Sequence, residues 1–441
     1  MFQILRLWEG YLLKQSGKEL NTLNTLFQKL SLYIKVGESM KIIIISSGIL
    51  PVPAVNGGAV ETLLDSIIEY NEWNHYHHDL VVYSIYDRNA KERTLKYEYC
   101  QFEYIQIAPA LKKLAKFVFG VLNKVSSLYF GDLYIHKVIK KIKEIDHYDV
   151  VVVENICEYG LLLKKNGIHV VSLHLHNDYL FKGSRRSKPI LDSYDKVFSI
   201  SHYINSRIQS IYKSEKVVTL YNGINTNLFN KELYQDNIEE LRNLYGLKLA
   251  DIVLVFSGRL VPEKGICELL QAFVGLKDSL NIKLLVVGSS VFKGAPKNNF
   301  TRKLESLANQ NKNNIIFTGY IPYPKMPAIY SIADIGIVPS VWEEPFGLTL
   351  IEQMAMSLPI ITSDSGAIKE IVNEKCAIVV PRGGSYVNHL QSAMKSLITN
   401  EPQRVTLGKE ARLRAEYFSE NAYCANFFRF IIALKRNSAN A

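Results

Sequence analysis

The chain has 441 residues, of which 48% are hydrophobic and 21% are charged, and its formal net charge is +10. A chain of this length is expected to form two domains of ~150 to 200 residues each. The five cysteines form no C-x-x-C pair, which argues against a disulfide scaffold and for a reducing cytosol. No apolar run approaches the ~18 residues of a membrane-spanning helix and no signal peptide is evident, so we expect a cytoplasmic protein.

The first 39 residues fit neither predicted domain. Met40 resembles a normal start, and the codons of Gly37 and Glu38 can encode a purine-rich ribosome-binding sequence just before it. We therefore expect residues 1–39 to be an N-terminal extension that arises as a start-site artefact. The alternative is a real amphipathic extension, because leucines recur through residues 20–34.

Residues 41–70 predict a buried strand, a loop rich in Gly and Pro, and then a helix. Gly57 and Gly58 open that helix, and paired glycines let the backbone approach a phosphate closely. A plain turn is the commoner explanation for a Gly-Gly pair. The loop holds no G-x-G-x-x-G, so a nicotinamide site is not supported. Further strands alternate with helices, which indicates a parallel sheet; they are predicted near residues 80–85, 149–153, 169–174 and 196–200.

A lysine-rich segment follows between residues 111 and 143, where Asp132 is the single acid. Its first part predicts a helix with apolar residues on one side and four lysines opposite: Lys112, Lys113, Lys116 and Lys124. Two interpretations fit. The helix could lie on an anionic bilayer with its lysines at the headgroups, or it could pack on its own domain with a solvated lysine face. We expect no nucleic-acid partner, because no basic and aromatic binding module appears.

A strand near residues 169–174 delivers His174 and His176 to the same face of its sheet, because alternate residues of a strand share a face. These side chains could contact sugar hydroxyls or an acceptor, or simply bond to backbone at the strand end. No Cys, Asp or third His has a spacing that completes a metal site, so we expect no metal and no other cofactor.

The second half of the chain repeats the strand-loop-helix pattern. Residues 251–273 predict a strand, a Gly-Arg turn and a helix whose first turn carries Lys264 and Gly265. Arg259 and Lys264 can converge above the carboxyl end of the strand. Two cations beside a helix N-terminus suit a diphosphate, although a surface Arg and Lys in a loop would look the same.

Residues 332–340 predict another buried strand, and a helix begins after the turn at 344–347. The free N–H groups around Gly347 to Thr349 form an anion site at the strand end. Glu352 lies about 6 Å further along the helix axis and can reach a group beyond the phosphates, while Glu344 can face the other end of a ligand. An ordinary strand-loop-helix with two solvated glutamates is the alternative.

Together these segments resemble the group 1 glycosyltransferases, a family of retaining, nucleotide-sugar-dependent enzymes with the GT-B architecture. The resemblance is carried by GRLVPEKG at 258–265, FTGYIP at 317–322, EPFG at 344–347, Glu352, and GAIKEIV at 366–372. One departure is Ala367, where many relatives carry a second glycine. The implied α/β fold has two Rossmann-like, doubly wound parallel-sheet domains that face each other across a cleft. The acceptor-side domain would span 40–222 and the donor-binding domain 223–417, with a helix at 418–441 crossing back.

The resemblance also implies roles for single residues. Arg259 and Lys264 would bind the donor diphosphate, and Glu352 would bind the ribose. Glu344, helped by Phe346, Gly347 and Leu348, would bind the transferred sugar and its phosphate. The nucleotide base would lie beside Gly319, Tyr320 and Ile321, and a phosphate would lie beside Gly57 and Gly58. The anomeric region of the donor sugar would lie beside His176, with His174 as the second choice.

The implied activity is transfer of a hexose-type sugar, most often from UDP, to a hydroxyl of a glycan acceptor. The basic helix favours a lipid-linked acceptor for surface or capsular polysaccharide, with the enzyme peripheral at the inner face of the cell membrane. One alternative is a nucleotide-sugar epimerase on the same scaffold, which would need a proton-abstracting group and no acceptor. Another is a non-catalytic sensor or scaffold that binds sugar nucleotides without turnover.

Overall fold

The structure, a computed structural model, describes residues 39–73, 77–276, 281–288 and 299–439. Residues 1–38, on which the expected start-site artefact depends, lie outside these ranges. The described residues form two parallel sheets with helices on both faces of each, so the predicted fold class is confirmed.

The elements of the first half, in chain order, are β1 (Lys41–Ile45), α1 (Ala59–Trp73), β2 (Asp79–Ile85), α2 (Arg88–Arg93), β3 (Cys100–Ile105), α3 (Pro109–Val125), α4 (Leu133–Ile142), β4 (Val150–Glu154), α5 (Tyr159–Lys165), β5 (Val171–Leu175), α6 (Ser187–Asp192), β6 (Lys196–Ser199), α7 (His202–Gln209) and β7 (Val217–Thr219).

The elements of the second half are α8 (Ile238–Leu244), β8 (Ile252–Ser257), α9 (Ile266–Val274), β9 (Ile282–Val287), α10 (Asn299–Ala308), β10 (Ile315–Gly319), α11 (Met326–Ser331), β11 (Ile335–Val338), α12 (Leu348–Ala355), β12 (Ile360–Ser363), α13 (Ile368–Ile371), β13 (Ala377–Val380), α14 (Tyr386–Thr399), α15 (Glu401–Ala415) and α16 (Glu420–Ala439). Short 3-10 turns connect some of them, at Thr94–Lys96, Lys231–Asn237, Pro262–Lys264, Asn309–Asn311, Tyr323–Lys325 and Glu416–Phe418.

Each sheet reverses its winding direction once. The first has the order β3-β2-β1-β4-β5-β6-β7, and the second has the order β10-β9-β8-β11-β12-β13. The reversal falls between β1 and β4 in one sheet and between β8 and β11 in the other. Open α/β sheets bind ligands beyond the strand ends at such a switch point. The loops after β1, β8 and β11, which carry the Gly-Gly pair, Lys264 and Glu344, are therefore where a ligand is expected.

The strands are rich in β-branched residues because helices cover both faces of each sheet. All four isoleucines from Ile42 to Ile45 are fully buried. Ile43 and Ile45 belong to a core cluster that continues into the second domain, whereas Ile42 and Ile44 belong to the cluster on the opposite face of the sheet. Burial on both faces explains why this run does not alternate with polar residues.

The last helix, α16, packs on the first domain. Tyr423, Phe427 and Phe428 belong to the same core cluster as Ile42 and Ile44. The chain enters α16 beside the connection between the domains, where Ser419 forms an isolated β-bridge with Ile224. The domains are thus joined by two chain crossings.

A carboxylate of the second domain joins the two domains at the start of α7. Glu370 accepts the N–H of His202 at 2.7 Å and the N–H of Tyr203 at 2.6 Å. The Tyr221 hydroxyl also donates to Glu370, at 3.1 Å. A carboxylate at a helix N-terminus satisfies N–H groups that the helix leaves unpaired. Glu370 therefore contributes three hydrogen bonds to the contact between the domains.

Glu370→Ala is expected to widen the distribution of domain orientations, because it removes three hydrogen bonds between the domains. Small-angle scattering should show a larger radius of gyration for the variant than for the wild type. Glu374→Ala, at an exposed site of the same segment, is the matched control and should leave the radius unchanged. Identical scattering from both variants would contradict the role given to Glu370.

Candidate active site

The centre of the candidate site is an ion pair between the loops that follow β8 and β11. Lys264 Nζ lies 2.9 Å from Glu344 Oε1 and 2.8 Å from Oε2. The same carboxylate accepts the Ser340 hydroxyl at 2.9 Å and the indole N–H of Trp342 at 3.3 Å. Glu344 is 7% exposed, so its charge is held by protein donors rather than by bulk water. Two residues far apart in sequence are thus brought together at the switch point of the second sheet.

Two glycines make this close approach of loops possible. Gly265 has φ +68°, and a Cβ built on it would lie 1.8 Å from the carbonyl oxygen of Pro339. Gly366 has φ +47°, and a Cβ there would lie 2.2 Å from the carbonyl oxygen of Glu344. Any side chain at either position would push the loops apart. The departure at Ala367 has a simple account: its N–H donates to the Glu344 carbonyl at 2.9 Å, a contact that needs no glycine.

Arg382 stabilises the loop that carries Glu344 through hydrogen bonds to two neighbouring carboxylates. Its guanidinium donates to Glu343 at 2.7 Å and to Asp364 at 3.0 Å. Burial alone would raise the pKa of Glu343, but the Arg382 guanidinium and the Gly366 N–H hold that pKa below its ordinary value. Sequence reasoning missed Arg382, because nothing local in the sequence links it to a loop about forty residues earlier.

The turn 344–347 leads directly into the start of α12. Phe346 is 2% exposed and stacks on Tyr221 at 5.9 Å between ring centroids. Gly347, at φ +114°, precedes α12, which begins at Leu348. The first N–H groups of a helix have no partner within it. An anion bound at the position predicted around Leu348 and Thr349 would therefore meet backbone N–H groups.

Glu352 sits one turn inside α12 and is 5% exposed. The Tyr330 hydroxyl donates to its Oε2 at 2.9 Å, and Ser257 lies 2.6 Å from that hydroxyl. Burial raises the pKa of Glu352 to about 7, although the bond from Tyr330 acts in the opposite direction. In the free protein this carboxyl therefore exchanges its proton near neutral pH.

The remaining predicted donor residues lie on loops of the two domains. Arg259 is exposed on the loop after β8, and Gly319 ends β10 with φ +72°. Tyr320 is 56% exposed, and its hydroxyl lies 3.8 Å from the Cβ position of Gly57 in the other domain. The Gly57 and Tyr320 loops thus meet across the cleft. Gly58 lies beside Gly57, and Ile321, half-buried, follows Tyr320.

In the first domain, Glu154 joins both predicted histidines. His176 Nε2 lies 2.9 Å from Glu154 Oε2, and His174 Nδ1 lies 3.3 Å from Oε1. Burial lowers the pKa of His176 to about 4, so its ring is neutral at pH 7. Burial alone would raise the pKa of Glu154, but the two imidazoles bring it down to about 2.

The two histidines differ in what they can reach. His174 is fully buried, and its ring packs near Tyr423 and Phe427 of α16. His176 follows the end of β5 and retains some exposure. The structure therefore does not bring His174 to the cleft. The expectation that it contacts a sugar is not supported in this conformation, because the last helix covers it.

Glu154, His174 and His176 also form a donor set of the kind that holds a metal, with one ligand atom from each within 4.8 Å of the others. The sequence argument considered only Cys, Asp and His as a third ligand and therefore left out Glu154. Glu154 comes within reach because β4 and β5 pair with Glu154 opposite His174. The carboxylate bonds to one ring nitrogen of each histidine, whereas His174 Nε2 is buried and has no hydrogen-bond partner among the described residues.

The sequence profile of the family described as "Glycosyl transferases group 1" matches residues 237–414. Spore coat protein SA of Bacillus subtilis is 27% identical over 391 residues, which span 86% of this chain and 95% of that protein. The lipopolysaccharide 1,2-N-acetylglucosaminetransferase of Salmonella typhimurium is 29% identical over 273 residues, which span 60% of this chain and 66% of that protein. The second domain, where the profile matches, belongs to the group 1 glycosyltransferases.

Solved structures place this glycosyltransferase in the GT-B fold. HepE of Anabaena, solved in complex with UDP and glucose, matches it with a TM-score of 0.70 at 18% identity. The match covers 89% of this chain and 100% of that chain, so both domains are included. None of the helices in the described ranges combines the length and the apolar character that crossing a bilayer requires.

In this glycosyltransferase the predicted residues fall into two groups on opposite edges of the cleft. The second domain holds the Lys264–Glu344 pair, the α12 start and Glu352, and the first holds the Gly57 loop and His176. The partners that sequence reasoning missed are Ser340, Trp342, Tyr330 and Arg382. Two of these, Ser340 and Trp342, flank Glu344 within four residues and could have been found from that proximity.

Proposed function

We propose that this glycosyltransferase is a retaining enzyme that transfers a hexose-type sugar from UDP to a hydroxyl of a lipid-linked glycan acceptor. Its product would belong to surface or capsular polysaccharide synthesis. The observation that carries the proposal is the Lys264–Glu344 pair beside the α12 start, with N–O distances of 2.8 and 2.9 Å. A cation, a buried carboxylate and a row of free N–H groups suit a diphosphate joined to a polyhydroxyl ring.

The donor would lie along the second domain. Arg259 and Lys264 would neutralise the diphosphate, Glu344 would accept sugar hydroxyls, and Glu352 would accept the ribose hydroxyls. UDP is favoured because HepE, which shares the fold, was solved with UDP and glucose. Stabilising charge on the departing diphosphate is the main catalytic contribution expected of this arrangement.

The acceptor hydroxyl would attack from the side on which the diphosphate leaves. A strong protein base is not required, because the departing phosphate can take the proton. The state of His176 agrees with this: with a pKa lowered to about 4, the ring is a weak base at pH 7. Glu154 would act as a positioning residue that fixes the ring of His176 beside the donor sugar.

We propose that transfer needs no metal. Arg259 and Lys264 would neutralise the charge of the diphosphate. The Glu154 carboxylate already has hydrogen bonds to both imidazoles. Dialysis against a chelator is expected to leave the turnover unchanged. Loss of activity on chelation, restored by zinc or manganese, would contradict this proposal. If Glu154→Gln then abolished the rescue, the ion would be assigned to Glu154, His174 and His176.

Contact with the membrane is proposed through α3. No residue of this helix is fully buried. Phe119 packs near His136 of its own domain, while the apolar stripe on the other side is exposed. The exposed apolar side chains are Leu111, Leu114, Phe117, Val118, Val121 and Val125. An exposed apolar stripe with neighbouring lysines suits the interface of an anionic bilayer. The protein would then be peripheral at the cytoplasmic face.

The pH dependence of donor binding tests the role of Glu352. Ribose hydroxyls donate to a carboxylate, so UDP binding favours the ionised form of a group whose pKa is raised to about 7. As the pH falls through that value the free protein gains a proton that must be released on binding. Affinity for a UDP-sugar, whose diphosphate has no group that titrates in this range, is therefore expected to fall roughly tenfold between about pH 7.5 and about pH 5.5. In calorimetric titrations of Glu352→Gln, the donor affinity should hardly change with pH. If the affinity of this variant falls with pH as steeply as that of the wild type, Glu352 does not bind the ribose.

A donor panel tests the proposed function itself. Thermal-shift measurements with nucleotide sugars should select a UDP-sugar, which is then supplied in labelled form together with membranes of the source organism. Label is expected in a lipid-extractable glycan. Conversion of the donor sugar to its epimer without an acceptor would favour the epimerase, and binding with neither transfer nor hydrolysis would favour the sensor.

A further inference from the structure

Helix α3 has two different faces, and only one of them is turned outward. A groove of about 1120 Å³ lies between the other face and the edge of the first sheet. The helix contributes Lys112, Ala115, Lys116, Phe119, Gly120 and Asn123 to this groove. At about 100° per residue these positions lie roughly opposite the exposed apolar stripe. The four lysines predicted to face headgroups are therefore divided: Lys112 and Lys116 line the groove, whereas Lys113 and Lys124 lie outside it.

The groove has an excess of positive charge. Lys112, Lys116 and Lys137 line it against a single acid, Asp132. That carboxylate is already occupied, because its oxygens accept the Ile135 N–H at 2.9 Å and the Tyr159 hydroxyl at 2.8 Å. Within the described ranges, the side chains of Lys112 and Lys116 make no hydrogen bond or ion pair. Two unneutralised ammonium groups on one wall suit a phosphate-bearing ligand.

The wall formed by α3 is held in place at its C-terminal end. Arg185 donates to the carbonyl oxygens of Asn123 and Lys124, at 2.6 and 2.7 Å. Arg186 donates to the carbonyls of Asn123 and Ser126, at 2.9 and 2.7 Å. The Asn123 side chain in turn accepts the Phe130 N–H at 2.7 Å. A helix that buries no side chain thus keeps a fixed position, so the groove is a built feature of the fold.

The groove extends to the loop of the first domain that meets the second domain. Gly48 and Ile49 form part of its floor, and they belong to the same loop as Gly57, which faces Tyr320. Tyr86 and Tyr129 add aromatic faces of the kind that pack on sugar rings. A ligand in the groove would thus reach from the membrane-facing helix toward the transferred sugar.

We propose that this groove binds the diphosphate and first sugar of a membrane-anchored glycan acceptor, with Lys112 and Lys116 as the diphosphate ligands. The inference rests on the proposed function, since it names the site for the acceptor of that reaction. The apolar stripe of α3 would rest on the bilayer while its basic face receives the headgroup that emerges beside it. The same helix would then determine both where the enzyme docks and which acceptor it takes.

The test uses farnesyl diphosphate as the probe, titrated into the full chain with UDP present at saturation to occupy the donor site. The groove variant is Lys112→Gln/Lys116→Gln, and the matched variant outside the groove is Lys113→Gln/Lys124→Gln. Farnesyl diphosphate affinity is expected to fall at least about tenfold in the groove variant and to stay within about twofold in the matched one. Farnesol lacks the diphosphate, so it should bind measurably to neither variant nor to the wild type.

Vesicles of phosphatidylcholine with and without phosphatidylglycerol distinguish binding to membrane headgroups from binding of the acceptor diphosphate. Cosedimentation with the anionic vesicles is expected to weaken in the Lys113 and Lys124 variant more than in the groove variant. Equal loss of farnesyl diphosphate binding in both variants, or no loss in either, would overturn the groove assignment. UDP binding by the wild type separates failure of the proposed function from failure of this inference. If the wild type does not bind UDP, the proposed function is contradicted. If it binds UDP but the groove variant binds farnesyl diphosphate as tightly as the wild type, only the groove assignment is contradicted.

Discussion

Lys264→Ala is expected to lower kcat/KM for sugar transfer by roughly a thousandfold, because it removes the cation that meets the departing diphosphate. The loss should appear mainly in kcat, since the charge on that phosphate grows in the transition state. Lys395→Ala, at an exposed site of the same domain, is the matched control and should retain full activity. Steady-state kinetics with the selected UDP-sugar measures both.

The partner of Lys264 allows a sharper form of the same experiment. Glu344→Gln keeps the shape of the side chain and can still accept from Ser340 and Trp342, but it no longer neutralises Lys264. A double-mutant cycle of Lys264→Ala and Glu344→Gln is expected to be strongly non-additive, because either change breaks the same pair. Additive losses would show that the two residues act separately, and full activity in both single variants would remove the pair from the site.

Gly265→Ala is expected to abolish transfer and to destabilise the protein by at least about 3 kcal/mol. The new Cβ would lie 1.8 Å from the Pro339 carbonyl oxygen, and the backbone would be held at φ +68°. Neither problem can be relieved by turning a flexible side chain. The loops that bring Lys264 to Glu344 would have to separate, so structure and activity should be lost together.

Urea unfolding followed by circular dichroism measures the stability of that variant. Gly384→Ala is the matched control, because a Cβ there meets nothing within 4 Å. It should unfold within about 1 kcal/mol of the wild type and retain UDP binding. A Gly265→Ala protein as stable and active as this control would contradict the close packing of the two loops.

The donor side of this site was predictable because its signals are local. Lys264 follows Gly258 and Arg259 in one short loop, and Glu344 and Glu352 belong to one turn and helix. Each loop follows a strand whose β-branched run is evident in the sequence. The carboxyl ends of parallel strands meet at one edge, which is why these loops come together.

The first-domain contacts were not predictable in the same way. Glu154 meets His174 because β4 and β5 pair in a particular register, which the sequence pattern does not determine. The outward position of α3 depends on Arg185 and Arg186, about sixty residues beyond the helix, capping its last carbonyls. An amphipathic pattern shows that a helix has two faces, but it does not show which of them the rest of the fold covers.

The most direct test of the account is calorimetric titration of UDP into the wild-type protein and into Lys264→Ala. We predict that one UDP binds per wild-type chain and that the affinity falls at least about tenfold in the variant, while Lys395→Ala binds like the wild type. Failure of the wild type to bind UDP or any other nucleoside diphosphate would contradict the assignment of the donor site. Equal UDP affinity in wild type and Lys264→Ala would contradict it as well.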